Sequence, residues 1–190
     1  MTERWLRREL EVSATDRILD AAGSLFAAQG VAHTNMGDVA RAAGCSRATL
    51  YRYFENRDAL RIAFVSRAAR RVEREVAAEV AHLTDPAEYV VESIITALRR
   101  VRTDPALAAW WEPSSMAIAS DLTGSSAVIE GLATAFVGDI EDPEVHAVAM
   151  WLVRVVVAFL VMPGESEAAE RETLHRFVAP AISAPSPKPT

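Results

Sequence analysis

The amino-acid sequence is divided by a regular series of helix start and stop signals, and this series restricts the fold more than any other feature. Three Asp-Pro pairs, at Asp85, Asp104 and Asp142, each combine a side chain that caps a helix with a proline suited to a first turn. Gly30 and Gly44 are typical of helix ends, and no segment has the alternating pattern of a strand. The sequence therefore predicts an all-α protein of about nine helices.

The spacing of these signals gives approximate helix bounds. Ser13 and Asp16 form a capping-box-like start for a first helix, and Asn35 can cap a second helix that ends at Gly44. We expect further helices to begin near Ser46, Asn56, Asp85, Asp104, Asp142 and Ser166, with one or two shorter ones between Pro113 and Val137. The tail 180–190 contains four prolines and is expected to be disordered.

Charge is distributed unevenly along the chain. The formal net charge is −6, but residues 1–80 carry 13 arginines against 11 acidic residues, whereas residues 81–190 carry 7 basic against 15 acidic ones. The chain thus has a mildly basic N-terminal part and an acidic remainder. A DNA-binding surface must neutralise phosphates, so this distribution permits a DNA-binding N-terminal part without identifying one.

The segment 145–162 is apolar apart from His146 and Arg154, and its length approaches that of a membrane span. Arg154 near its middle and the lack of a basic flank favour a helix buried in a core or a subunit interface instead. With 51% apolar residues, the chain can bury a substantial core. The single cysteine, Cys45, and an N-terminus without a secretory pattern indicate a cytoplasmic protein.

The most informative segment runs from Thr34 to Leu60 and reads TNMGDVARAAGCSRATLYRYFENRDAL, two short helices joined at Gly44. Such a turn requires a positive φ, which glycine adopts without strain. In the third helix Leu50 and Phe54 are expected to face inward, so the opposite face presents Arg47, Ala48, Thr49, Tyr51, Arg52 and Tyr53. These residue types suit a DNA major groove, although an ordinary solvated amphipathic helix explains this helix alone equally well.

This segment resembles the helix-turn-helix of the TetR family of one-component regulators. The resemblance covers roughly Thr15 to Leu60, and its matching positions are Thr34, Val39-Ala40, Ala43-Gly44, Ser46, Thr49-Leu50-Tyr51, Tyr53-Phe54, Arg57 and Ala59-Leu60. Two positions depart from the pattern: Gly37 stands where a helix former or a charged residue is usual, and Cys45 replaces the commoner valine. Gly37 is expected to cost about 1 kcal/mol in helix stability relative to alanine.

Carried over by position, the resemblance implies a set of DNA contacts. Base edges would be contacted by Arg47, Ala48 and Thr49, and phosphates by Thr34, Tyr51, Tyr53 and Arg57. Asn35 and Ser46 would add helix N-termini directed at phosphates. The domains expected on this basis are a flexible basic arm (1–12), a DNA-binding domain (13–60), an effector-binding and dimerisation domain (61–179) and the tail (180–190).

For the rest of the chain, the resemblance implies a homodimer formed by the last two helices. It implies a repressor that holds a palindromic double-stranded DNA operator and that a small apolar or amphipathic effector releases. The residues expected to line the effector pocket are Tyr89, Trp110, Trp111, Met116, His146, Trp151 and Arg154. The aromatic residues among them fit an ordinary helical core as well.

Two other interpretations remain open on the sequence. The first is an architectural or autoregulatory DNA-binding dimer that responds to no effector. The second, an enzyme, is disfavoured because the four histidines are scattered and the chain has no nucleophile triad, phosphate-binding glycine loop or metal-ligand spacing. No catalytic residue, metal site, cofactor or membrane contact is predicted.

Overall fold

The computed structural model describes residues 2–124 and 142–183. These residues form ten α-helices and no strand, which confirms the all-α class. In chain order the helices are α1 (Thr2–Gln29), α2 (Met36–Ala42), α3 (Arg47–Tyr53), α4 (Arg57–Val80), α5 (Pro86–Thr103), α6 (Pro105–Ala108), α7 (Met116–Gly124), α8 (Pro143–Val161), α9 (Glu167–Phe177) and α10 (Ala179–Ser183). The expected helices between 125 and Val137, and residues 184–190 of the expected tail, lie outside the described residues. Residues 180–183 were expected to belong to a disordered tail, but they are helical in α10.

The chain forms two compact units, and neither is continuous in sequence. Of the described residues, 2–68 and 104–124 form one unit, which we call the head. Residues 69–103 and 142–183 belong to the second unit, which we call the body. The helix α4 contributes its first half to the head and its second half to the body. The head therefore includes residues 61–68 and 104–124, which were expected to belong to the effector-binding and dimerisation domain.

An aromatic cluster at the centre of the head explains why residues 104–124 belong to it. The ring of Phe26 on α1 meets that of Phe64 on α4 edge-on at 5.0 Å, and the ring of Trp110 edge-on at 5.6 Å. Phe64 and Trp110 stack with their centroids 6.3 Å apart. Gly23 permits this approach of α1 to α4, since a Cβ there would lie 2.9 Å from Phe64 Cε2.

The helix starts that the sequence predicts are largely confirmed. Side-chain oxygens of Asn35, Ser46, Asn56, Asp104 and Ser166 each accept a hydrogen bond from a backbone N–H in the first turn of the helix that follows. These caps are predictable because both partners lie within three residues of each other.

Two predicted helix bounds were wrong. The helix α1 begins at Thr2, so Ser13 lies inside it, and residues 2–12 are helical. The segment TERWLRRELEV contains no glycine or proline that would stop a helix from extending backward. The helix that starts after Asp104 ends at Ala108 rather than near Trp111, and turns lead from there to α7.

The core of the body forms where α5, α8 and α9 meet. The buried residues Val91, Ile95 and Leu98 of α5 pack with Leu174 of α9, and one face of α8 covers them. That face consists of Leu152, Val155, Val156, Phe159 and Leu160. The long apolar segment 145–162 thus packs on the body core, and none of the helices described is long and apolar enough to cross a membrane.

A buried carboxylate joins the same three helices. Glu170 on α9 is only 1% exposed and accepts two hydrogen bonds of 2.7 Å from the guanidinium of Arg102 on α5. It also accepts one of 2.8 Å from the Gly164 N–H, while Arg102 donates another to the Phe159 carbonyl. The hydrogen bonds from Arg102 hold the pKa of Glu170 below its ordinary value, burial opposes this, and the Gly164 N–H adds to the lowering.

Candidate nucleic-acid interface

The helix α3 is fixed in the head by two apolar anchors and a tight turn. Leu50 is fully buried and Phe54 is nearly so, as the sequence predicts. Gly44, which precedes the helix, has a φ of 66°, and the Ser46 hydroxyl accepts a hydrogen bond of 3.0 Å from the Thr49 N–H. With this side of α3 held in the core, its opposite side must face outward.

The outward side of α3 carries most of the residues predicted to contact DNA. Arg47, Ala48 and Arg52 are exposed, and the Tyr51 side chain is 49% exposed. Thr49 and Tyr53 are half-buried at the edges of this surface. The Arg52 guanidinium lies 5.4 Å from the centre of the Tyr53 ring, a cation–π contact that the sequence analysis did not predict.

The surface is cationic because its arginines lack acidic partners. Within residues 2–124 and 142–183, none of Arg47, Arg52 and Arg57 takes part in an ion pair. By contrast, Arg41 on α2 pairs with Asp38 at 3.2 Å. Exposed and unpaired guanidinium groups are the groups that displace counterions from DNA phosphates. The local charge of this surface is thus opposite in sign to that of the whole chain.

Asn35 and Ser46 are occupied by their helices. The Asn35 Oδ1 accepts hydrogen bonds from the N–H groups of Gly37 and Asp38, at 2.9 and 3.1 Å, and its amide donates to the Asp38 carboxylate. The Ser46 Oγ also lies 2.9 Å from the Thr49 hydroxyl. Both side chains are helix caps that set the start of α2 and α3.

Thr34 differs from the expectation that its side chain contacts a phosphate. Thr34 is only 2% exposed, and its hydroxyl donates a hydrogen bond of 2.9 Å to the Gly30 carbonyl. The Gln29 amide donates to the same hydroxyl at 3.4 Å. Because Gly30 has a positive φ and ends α1, Thr34 holds the turn between α1 and α2 closed. Its hydroxyl is therefore not presented to a ligand at the surface.

An open groove of about 380 Å³ lies beside α3. Its lining consists of Asn35, Met36, Gly37, Arg47, Tyr51, Asn56 and Arg57. The structure thus brings four predicted contact residues, Asn35, Arg47, Tyr51 and Arg57, into one groove. Asn56 was predicted only as a helix cap, but it also lines the groove, because it lies in the short connection between α3 and α4.

Arg61 on α4 is a polar residue of the head that sequence reasoning missed. It is only 4% exposed and donates hydrogen bonds to the Asp58 carboxylate at 2.9 Å and to the Val31 carbonyl at 3.3 Å. Burial lowers the pKa of the Arg61 guanidinium, and the hydrogen bond to Asp58 opposes this shift. Arg61 thereby ties the start of α4, which carries Arg57, to the end of α1.

The residues predicted to line an effector pocket are divided between the two units. In the head, Trp110 is buried in the aromatic cluster, while Trp111 and Met116 are half-buried. In the body, Tyr89 and Trp151 are each 41% exposed, His146 is half-buried, and the exposed Arg154 donates a hydrogen bond to the Met150 carbonyl. Where the structure describes the chain, no three potential ligands among His, Cys, Asp and Glu lie close enough together to hold a metal ion.

Comparison with known proteins adds three findings. Residues 18–64 match the family described as bacterial regulatory proteins, tetR family. The HTH-type transcriptional regulator Rv1255c of Mycobacterium tuberculosis strain H37Rv is 45% identical over 182 residues, which cover 94% of this chain and 90% of that protein. The third finding, likeness to solved structures, extends over most of the chain.

The crystal structure of AlkX, a TetR family repressor from Dietzia sp. strain DQ12-45-1b implicated in biodegradation of n-alkanes, has a TM-score of 0.70. It is 25% identical and the match covers 87% of this chain and 93% of that one. The structure of RolR with resorcinol has a TM-score of 0.62 at 20% identity, over 95% of this chain and 98% of RolR. The family match covers the segment that forms the candidate interface, and the structural likeness extends to the body.

Proposed function

This chain belongs to the TetR family of bacterial transcriptional regulators, and we propose that it is a cytoplasmic repressor released from its operator by a small molecule. Members of the family are DNA-binding regulators and not enzymes. Two subunits hold a palindromic operator with their α3 helices about one DNA turn apart, roughly 34 to 36 Å. The observation that carries this proposal is the exposed, unpaired set of arginines around a recognition helix that Leu50 and Phe54 anchor in the head.

In the proposed complex, the outward side of α3 enters the major groove. Ala48 and Thr49 contact base edges, where their methyl groups can contact the C5-methyl group of thymine and the Thr49 hydroxyl can hydrogen-bond to a base. Tyr51, Tyr53 and Arg57 contact phosphates and fix the position of the helix on the duplex. The exposure of Tyr51 and Arg57 supports these roles.

The body supplies the proposed dimer interface. The exposed residues Ala147, Trp151, Arg154, Ala158 and Val161 recur every three or four positions along α8, so they form one stripe on the helix. The stripe is apolar apart from Arg154, and Phe177 on α9 is 65% exposed. A stripe of this kind is buried when two copies pair their last two long helices around a two-fold axis.

The effector is proposed to be an apolar or amphipathic small molecule. Trp110 and Ser115 are buried, yet the Trp110 Nε1 and the Ser115 Oγ have no hydrogen-bond partner among the described residues. Buried polar atoms of this kind ordinarily have a partner, so they offer a place for the polar end of a ligand next to the half-buried Met116. The likeness to AlkX, implicated in n-alkane biodegradation, supports a ligand with an alkyl chain.

Selection from a random DNA library with purified protein tests the DNA-binding part of the proposal. We expect inverted repeats to be enriched, with a half-site spacing of about one helical turn. Tyr51→Phe is expected to weaken binding to all sequences alike, because it removes a phosphate contact, while Thr49→Ala relaxes preference at one position of each half-site. A selection that enriches no sequence over the starting library contradicts the proposal.

Titration of the selected DNA complex with n-alkanes, fatty alcohols and fatty acids of increasing length tests the effector. We expect at least one of them to weaken DNA binding, since a ligand shifts the equilibrium only by its difference in affinity between the two states. Trp110→Phe, which keeps an aromatic ring but removes the Nε1 donor, should lower sensitivity to the ligands with a polar end. If every ligand that binds leaves the DNA affinity unchanged, the protein is instead an effector-independent DNA-binding dimer.

A further inference from the structure

The guanidinium of Arg47 lies across Gly37, although the two residues belong to different helices. A Cβ at position 37 would overlap the Arg47 Nη2 and come within 3.0 Å of its Cζ and 3.1 Å of its Nε. The backbone does not require glycine here, because the positive-φ residues of the described chain are Gly30 and Gly44 alone. The missing Cβ at position 37 therefore leaves a space, and the Arg47 guanidinium fills it.

This arrangement turns Arg47 toward the groove beside α3. There it shares the lining with Arg57 from α4, the Tyr51 side chain and the Asn56 side chain. No carboxylate lines the groove, and the nearest acidic residue on α2, Asp38, is paired with Arg41 and with the Asn35 amide. The Asn56 amide donates to the Glu55 carboxylate at 3.1 Å, so the donors left for a ligand are the two unpaired guanidinium groups and the Tyr51 phenol, a set suited to a small oxyanion.

We infer that this groove is a clamp for one phosphate of the DNA backbone, formed by Arg47 and Arg57, and that Gly37 makes room for Arg47 in it. The inference rests on the proposed DNA-binding function and changes the role of one residue within it. Arg47 was expected by position to contact a base edge, but a guanidinium that reads guanine extends away from its own helix toward the bases. Arg47 instead folds back onto α2, where a phosphate is the group it can hold.

The test compares Arg47→Ala, Gly37→Ala and the double variant in the full-length protein. The probe is a random-sequence DNA duplex with a fluorescent end label, and its affinity is measured between about 50 and 200 mM NaCl. The slope of log K against log salt is negative, and removing one phosphate contact makes it less steep by about 0.9 per bound subunit. We expect this loss for Arg47→Ala, and no loss for the matched control Arg74→Ala, an exposed arginine of α4 that forms no ion pair in the described structure.

Gly37→Ala distinguishes the loss of the clamp from the loss of a positive charge. It leaves every arginine in place, yet its Cβ must displace Arg47, so we expect a loss of slope like that of Arg47→Ala. The double variant should bind no more weakly than Arg47→Ala alone, because the group that Gly37 accommodates is already absent. Circular dichroism and a thermal melt of Gly37→Ala should show an intact fold.

Three outcomes would overturn the inference. Arg47→Ala could leave the salt slope unchanged while preference at one base pair is lost in a library selection, which would make Arg47 a base-reading residue. Gly37→Ala could reduce affinity by the same factor with or without Arg47, which would show that Gly37 does not act through Arg47. If the unaltered protein binds no duplex at low salt, the proposed function fails as well, so the two failures are distinguishable.

Discussion

Gly37 and Gly44 lie seven residues apart in the head, and each is glycine for a different physical reason. Gly44 has a φ of 66°, and a Cβ built there meets nothing within 4 Å. This left-handed backbone conformation is unfavourable for residues that have a Cβ. Gly37 has no such backbone constraint, but the Arg47 side chain occupies the place of its missing Cβ. Gly44 thus serves the fold, whereas Gly37 makes room for Arg47 in the proposed DNA-binding surface.

Substituting each glycine by alanine should therefore change stability in opposite directions. Gly44→Ala is expected to lower the free energy of unfolding by about 1 to 2 kcal/mol, because alanine is strained in the left-handed conformation. Gly37→Ala is expected to raise it by about 1 kcal/mol, since Arg47 is exposed and can move away. Urea denaturation followed by circular dichroism measures both. Gly44→Asn is the control, since asparagine tolerates positive φ; an unchanged stability for Gly44→Ala would contradict the explanation.

Thr34 shows what position in a sequence pattern does not reveal about a single residue. The resemblance implies a phosphate contact for Thr34, whereas the structure buries its hydroxyl against the Gly30 carbonyl. The exposed residues Arg47, Ala48 and Tyr51 are placed as the helical period predicts. Helical period fixes which side of a short helix faces outward, but it does not determine the direction of a side chain in a turn.

At the scale of elements, the caps of the helices were predictable and the ion pairs between helices were not. Asn35 and Ser46 bond to N–H groups two or three residues away, so local sequence contains both partners. Arg102 and Glu170 are 68 residues apart, and Arg171 pairs with Glu92 across 79 residues. Nothing in the sequence around either partner specifies such a pairing, because it depends on how α5 and α9 pack.

The pairing of Glu170 should make the stability of the body depend on pH. Its pKa is lowered in the folded state, chiefly by Arg102, and hydrogen bonds from Arg100 and Arg99 lower the pKa of Glu79 and Glu167 in the same way. A carboxylate with a lowered folded pKa stabilises the fold fully above its unfolded value of about 4.3, and the contribution is lost as the pH falls through the folded pKa. We therefore expect the free energy of unfolding to fall steadily below about pH 4.5.

Glu170→Gln tests this dependence directly. At neutral pH it should lower the free energy of unfolding by about 3 kcal/mol, because Arg102 loses the anion it pairs with. The variant should then lose less stability on acidification than the unaltered protein, since one of the carboxylates that must be protonated is absent. Glu172→Gln, at an exposed residue of α9, is the control and should leave the free energy of unfolding almost unchanged. Equal acid dependence in both variants would contradict the argument.

At the scale of the whole molecule, the exposed stripe of α8 determines the proposed assembly. Trp151→Glu places a charge in the middle of the stripe and should weaken dimerisation about tenfold or more, because an aromatic anchor of the interface is replaced by a carboxylate that must be desolvated. Light scattering over a dilution series measures this effect. Tyr89→Glu is a matched control, since both aromatic side chains are 41% exposed and only Trp151 lies on α8. If both variants dissociate alike, or neither does, the interface lies elsewhere.

The division of the chain into units was the part of the architecture least accessible to sequence reasoning. The family resemblance ends near Leu60, which suggested a boundary there, but the head also contains residues 104–124. The contact responsible is between Trp110 and the rings of Phe26 and Phe64. Aromatic residues at helical spacing predict burial, and Trp110 is buried, yet spacing gives no information about which partner buries them.

This discontinuity limits how DNA specificity can be moved between relatives. A chimaera that exchanges only residues 1–68 would pack foreign α1 and α4 residues against the native Trp110, or leave their rings facing water. A functional transplant needs three crossovers, one after residue 68 and one on either side of the α6–α7 segment, so that this segment is exchanged together with the α1 and α4 residues it packs against. Through the same tryptophan, a substitution in the α6–α7 segment should change the packing of α1 and α4 without any change in the residues of α3.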